Sequence, residues 1–203
     1  MKNISVTLIV LALAACSGES TSESTADQAS VSTAAAAQEI AVSNSDGKTK
    51  NVEKPAYSVE GNALVLKGGA YEGEDGTVSL LTSASGDLNG DSAGDEAAIL
   101  VHSSRGSGVF YYLNVFLNDG SGTQEFAGEA FLGDRIKLDF IDIYGPGSIS
   151  RLTGVPIHPD DHGQLVVGYY VHGPEQAYAE RPGIYITRHW KIDDRRLVSV
   201  EDY

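Results

Sequence analysis

One cysteine in 203 residues, Cys16, leaves no partner for an internal disulfide, so the folded part of the chain must be held together by burial. The same scarcity rules out a thiolate set for structural zinc and, once Cys16 is modified, a thiolate nucleophile. Basic residues are also few. Against 28 Asp and Glu there are 14 Lys and Arg, a formal net charge of −14, and no basic cluster offsets it locally. Such a surface repels phosphate backbones, which excludes nucleic acid as a partner. No segment keeps an apolar period of 3.6 residues over three turns, so helices are not expected. A G-x-S-x-G nucleophile elbow is missing. Gly106-Ser107-Gly108 has the wrong spacing for one, and with a strand following it there is no helix N-terminus to cradle a phosphate.

The amino terminus carries a clear signal. Lys2 precedes a nearly continuous apolar or small stretch, residues 4–15, broken by Ser5 and Thr7. About a dozen residues is short of the roughly 20 that a spanning helix needs, so the stretch reads as an export signal. It ends in Leu13-Ala14-Ala15-Cys16, which resembles the lipobox of bacterial lipoproteins. That resemblance implies cleavage before Cys16 and acylation of its thiol. The membrane then becomes a partner through the lipid anchor, with more than one acyl chain giving stable attachment. Ser17 in place of Asp points, by analogy with lipoprotein sorting, to the outer membrane. The expected organisation is a signal peptide over 1–15, a lipidated, disordered Ser/Thr/Ala-rich tether over 16–55, and a single β-rich domain over 56–203. The tether holds almost no large apolar residue to offset the entropy of ordering it.

From Tyr57 onward the pattern is that of strands. Short apolar pieces at 57–59 and 63–66 flank the turn Glu60-Gly61-Asn62, and a piece at 77–81 follows a Gly/Glu/Asp-rich turn at 72–76. The runs 97–101 and 165–171 are apolar on both faces, as central strands are. In 109–117, Val109, Tyr111, Leu113, Val115 and Leu117 alternate with Phe110, Tyr112 and Phe116, so both faces should be covered. Asn118-Asp119-Gly120 predicts an antiparallel return over 123–131. Further strands are expected at 136–143, 148–155, 184–192 and 197–200, the last pair joined by Asp193-Asp194-Arg195-Arg196. The predicted class is mainly β: an antiparallel sandwich, or a half-open curved barrel, of successive hairpins.

The residues with the clearest chemical potential lie in 86–95. Asp87, Asn89 and Asp91 place side-chain oxygens at alternate positions, Ala93 can add its carbonyl and Asp95 a further carboxylate. Calcium takes six to eight hard oxygens in a flexible cage, so calcium is the cofactor this loop predicts. The competing reading is a polar turn in which Asp87 and Asn89 bond to the backbone with no metal. The spacing resembles the D-x-N-x-D-G-x-x-D loop of FG-GAP and integrin-type propeller repeats, where the last Asp opens a strand. Two departures stand out: Ser92 replaces the glycine, and the loop occurs once, which excludes a propeller. An EF-hand is excluded too, because Ala98 falls where its bidentate Glu would be. Taken with Asp95-Glu96-Ala97-Ala98, the run Gly106-Ser107-Gly108-Val109-Phe110-Tyr111-Tyr112-Leu113 and Leu132-Gly133-Asp134-Arg135-Ile136-Lys137, the chain resembles a group of bacterial envelope proteins for which the resemblance implies no activity.

A second metal-like cluster is His158, Asp160 and His162, although Pro159 opposes the helix that would align two histidines four apart. His102, His172 and His189 fall on or beside strands and read as surface or hydrogen-bonded residues. Tyr111, Tyr112, Tyr169, Tyr170, Tyr178 and Tyr185 could edge a binding surface, but in strands they more often pack in the core or pair across strands. The expected function is that of a non-enzymatic envelope lipoprotein with a binding or structural domain, stiffened by calcium, for which an envelope protein or glycan is the partner. The alternative is an envelope hydrolase or carbohydrate-active enzyme using paired acidic residues near the tyrosine-rich strands.

Overall fold

The computed structural model describes residues 55–200. The signal peptide, Cys16 and the tether up to residue 54 lie outside the described residues. Eleven strands succeed one another: β1 (Tyr57–Val59), β2 (Asn62–Leu64), β3 (Ala70–Gly73), β4 (Gly76–Gly86), β5 (Asp95–Ser104), β6 (Val109–Asn118), β7 (Gln124–Asp134), β8 (Lys137–Ile143), β9 (Leu165–Val171), β10 (Ile184–Asp193) and β11 (Arg196–Val200). They form antiparallel sheets of successive hairpins, and none closes into a barrel. A five-stranded sheet has the order β3-β4-β5-β6-β7, a four-stranded sheet the order β11-β10-β9-β8, and β1-β2 is a separate hairpin.

The alternation of β6 builds the layers. Leu113, Val115 and Leu117 point from the five-stranded sheet toward Leu165, Val167, Tyr169 and Trp190 of the four-stranded one, in a shared core with Ala97 and Ile99. Tyr112 and Phe116 point the other way and are covered by Tyr57, Val59 and Leu64 of the hairpin. The central strands are therefore buried on both faces, and each fully buried large side chain contributes about 1.5–3 kcal/mol. Asn114 interrupts the apolar pattern and is completely buried. Its Oδ1 accepts the Ser58 N–H at 2.6 Å and its Nδ2 donates to the Ser58 carbonyl at 2.9 Å, which pins β1 to the sheet.

The edges of the two sheets meet differently on the two sides. Beside β7, the Cα of Gly128 approaches β11 so closely that a Cβ there would lie 2.8 Å from Leu197 Cβ, and Arg195 pairs with Glu125. That side is sealed. On the other side β8 runs beside β4 without pairing with it. The two strands touch at one end, where a Cβ on Gly86 would lie 2.7 Å from Ile143 Cγ2. Toward Leu81 and Lys137 they part. β3 stops pairing with β4 at Ser79, and a β-bulge follows in each facing strand, between Leu80 and Thr82 and between Leu138 and Phe140. Bulges bend a strand and sharpen its twist, which here spreads the two edges apart.

Two expectations need correction. Residues 148–155 do not form a strand: a lone bridge joins Ile149 to Pro156, and the Gly154 N–H turns back to the Ser150 carbonyl at 2.8 Å. Pro156 offers no N–H to a ladder, and glycines at 145, 147 and 154 favour turns over strands. Ala70–Gly73 is in turn a strand, inside a stretch read as turn and connection.

Candidate functional site

The acidic loop joins β4 to β5, the middle strand of the larger sheet. Asp87 accepts the Gly90 N–H at 2.7 Å and the Ser92 N–H at 2.9 Å. Asn89 Oδ1 accepts the Asp91 N–H at 3.0 Å, and Asp91 Oδ1 the Ala93 N–H at 2.7 Å. These are nested Asx-turns. Ser92 has φ +68°, so a residue with a Cβ occupies the left-handed position where the resembled loop carries glycine. Asp87, Asn89 and Asp91 thus share one turn at the surface. Asp95 does not join them. It is the first residue of β5 and, two and four residues before Ala97 and Ile99, falls by the strand's period of two on the core-facing side. Fully buried, it accepts the Leu88 N–H with Oδ2 and the Asn118 N–H with Oδ1, both at 2.8 Å. Burial pushes its carboxyl above the ordinary range, and the two backbone hydrogen bonds oppose that shift. Among the described residues no three His, Cys, Asp or Glu side chains are grouped so as to hold a metal ion.

His158, Asp160 and His162 surround a single 3-10 turn, Pro159–Asp161. His158 Nδ1 faces Asp160 at 3.4 Å with both side chains well exposed, while the His162 N–H donates to the Pro159 carbonyl. His189 bonds Gln164 through Nδ1 at 3.2 Å, and His172 bonds the Glu180 carbonyl through Nε2 at 3.0 Å. Tyr112 and Tyr169 are core residues, and Tyr170 and Tyr185 form a directly opposed cross-strand pair with centroids 4.9 Å apart. Tyr111 packs against the inter-sheet core, and Tyr178 is exposed beside Arg135.

The open seam between β4 and β8 contains the feature that residue types alone did not reveal. It is a groove of about 680 Å3, flanked by Leu81, Thr82 and Ser83 on one side and by the unbroken run from Ile136 to Ile141 on the other, with Tyr111 and Arg151 completing it. Both flanks are strand edges, so alternate backbone N–H and C=O groups point into the groove. Its charged groups have anchors. Arg151 Nε donates to Asp142 at 2.6 Å, Lys137 Nζ lies 5.0 Å from the Tyr170 ring centroid, and Asp139 accepts the Tyr185 hydroxyl at 3.3 Å. Asp139 is the sole carboxylate among the lining residues. Its one trace in the sequence is Thr82-Ser83-Ala84-Ser85, which extends the apolar piece at 77–81 with small, mostly polar residues and suits a wet strand edge without marking a groove.

No protein-family model matches the chain, and neither the curated proteins nor the solved structures contain a match.

Proposed function

We propose that this chain is a lipid-anchored protein of the bacterial cell envelope whose β domain binds an extended ligand, an envelope polypeptide or a glycan strand, without transforming it. The observation that carries the reading is the groove between β4 and β8. It is open to solvent and bounded by two strand edges, the arrangement that accepts an extended chain by strand addition. Hydrolysis of a glycoside calls for two carboxylates about 5–10 Å apart. The groove lining offers Asp139 alone. Lipidation at Cys16 supplies the attachment, and the outer membrane is the proposed site.

The acidic loop has a supporting role in this reading. Asp95 ties β5 to the starts of the neighbouring loops from inside, while Asp87, Asn89, Asp91 and the Ala93 carbonyl would hold calcium from outside. Three side chains and one carbonyl leave the remaining oxygens to water, so affinity belongs in the range of extracellular modules, about 10⁻⁴–10⁻³ M. Calcium would stiffen the turn and take no part in a reaction.

Photo-crosslinking of the full chain in the producing cell tests the proposal. A benzophenone amino acid at Ser83 should give one discrete adduct, whereas the same group at Val198, on β11, should give none. Lysozyme sensitivity of the adduct separates glycan from polypeptide. Equal labelling from both positions, or none from Ser83, would sink the binding role. Retention of Cys16→Ser in the membrane fraction would sink the anchor.

A further inference from the structure

The backbone groups that face the groove can be assigned residue by residue. The Arg105 N–H donates to the Asp75 carbonyl, which turns the odd residues of β5, Ile99 among them, toward β4. Before the bulge the Leu80 N–H points the other way, donating to the Gly69 carbonyl at 2.9 Å. After it Thr82 lies opposite Ile99, so the antiparallel ladder turns Thr82 and Ala84 toward β5 and leaves the N–H and C=O of Ser83 and Ser85 facing β8. On the other edge the Tyr144 N–H donates to the Gln164 carbonyl at 2.8 Å, so Tyr144 faces β9 while Ile143 and Ile141 face β4. Beyond the second bulge Leu138 takes up that outward position. The groove thus separates two rows of ladder groups that do not pair with each other.

The two rows also share a direction. Gly86 and Ile143, the last residues of β4 and β8, meet at the closed end, and Leu81 and Lys137 flank the open part. Both strands run toward the closed end, so one inserted strand of opposite direction pairs antiparallel, the slightly more stable mode, with each. A glycan presents hydroxyls without the alternating N–H and C=O that such rows match.

Side chains narrow the ligand further. Tyr111, Leu138 and Ile141 pack against the inter-sheet core and give the groove an apolar floor. On the outer side Lys137 lies over the Tyr170 ring and Arg151 over the Phe140 ring. The whole chain has 28 acidic residues to 14 basic ones, yet the groove lining reverses that balance, with Lys137 and Arg151 against Asp139. Arg151 is paired with Asp142, whereas Lys137 forms no ion pair among the described residues.

We propose that the groove takes an extended polypeptide strand, antiparallel to both β4 and β8, whose apolar side chains face the floor and alternate with acidic side chains facing Lys137. This inference rests on the groove being the binding site, and it assigns capture to the backbone rows and selection among strands to Lys137.

The test titrates fluorescein-labelled Ser-Val-Glu-Val-Glu-Val-Ser with the full chain in detergent micelles, read by anisotropy. The comparison probes are the same peptide with Lys for Glu, the same peptide N-methylated at its valines, and an N-acetylglucosamine tetramer as competitor. The Glu peptide should saturate and bind about fivefold tighter than the Lys peptide, as expected where one exposed attraction becomes a repulsion. N-methylation removes one row of donors and should abolish binding. Lys137→Gln, at an exposed position, should erase the preference between Glu and Lys peptides while binding persists. No saturation by the Glu peptide, equal affinity for the Lys peptide, binding that survives N-methylation, a preference that survives Lys137→Gln, or displacement by the sugar would each overturn the inference. Any of these alongside a discrete adduct from Ser83 in cells would leave the binding role standing, whereas absence of the Ser83 adduct removes both.

Discussion

Replacing Asp95 by alanine should destabilise the domain by about 2–4 kcal/mol, a large share of the 5–15 kcal/mol typical of a folded domain. The carboxylate is fully buried and accepts two backbone N–H groups from separate segments, Leu88 and Asn118. Leaving a buried donor unpaired costs about 1–3 kcal/mol, and Asn118, closer to solvent, belongs at the lower end of that range. Relief from burying a charge offsets part of the loss. The matching control is Asp91→Ala. Asp91 also accepts two hydrogen bonds, from the Ala93 N–H and the Asn89 amide, but it is exposed, and water can replace it. Its cost should stay below about 1 kcal/mol. Urea unfolding of both variants, with the slope unchanged, measures the difference. Near-equal losses, or a larger loss from Asp91→Ala, would refute the argument that Asp95 is the brace and the rest of the loop its exposed cover.

The same carboxyl gives a pH prediction. Its folded pKa is raised by burial, so within the window above the ordinary carboxylate value the native state binds more protons than the unfolded chain. Its contribution to stability is therefore fully present below about pH 4 and declines as pH rises through the raised pKa. The stability difference between the natural chain and Asp95→Asn should fall over that window, and a rising difference would contradict the assignment. Asn114→Ala removes both bonds to Ser58 and should cost about 2–4 kcal/mol, with amide exchange accelerated first at Tyr57–Val59. If calcium binds the turn at about 10⁻³ M, 10 mM calcium should stabilise the domain by about 1.4 kcal/mol through mass action. An unchanged melt, with Asp91→Ala equally silent, would remove calcium from the account. Gly128→Ala should cost roughly 1–3 kcal/mol, because its φ of +159° and the contact with Leu197 both exclude a Cβ; a melt within experimental error of the natural chain would show that the sealed side can yield.

The two faces of β6 could be read from Val109 to Leu117 because an apolar strand covered on both sides leaves both alternating series visible. The hairpin at Asn118-Asp119-Gly120 was equally legible, since its chemistry is local. Asp95 was harder. Oxygens at alternate positions match a metal loop on paper, yet once β5 begins at Asp95 the same period of two turns its carboxylate inward with Ala97 and Ile99. The decision rested on a strand boundary, which sequence patterns define poorly. β3 was missed because Ala70-Tyr71-Glu72-Gly73 is a short edge with no buried residue. Residues 148–155 misled in the other direction: Ile149, Leu152 and Val155 are apolar but remain exposed at 61%, 51% and 56%. The groove between β4 and β8 depends on two bulges and on how two sheet edges meet, neither of which any local pattern specifies.

The most direct test of the proposed binding role combines a blocked groove with a reporter inside it. With the benzophenone group at Lys137, the full chain should form its adduct in cells, and the added change Ser83→Trp should abolish it by filling the space opposite. Ser83 is exposed on the edge of β4, so the unfolding free energy from urea titration should change by no more than about 0.5 kcal/mol. Loss of the adduct with the fold intact is the predicted result. An adduct of undiminished yield from the blocked groove would show that the ligand binds elsewhere.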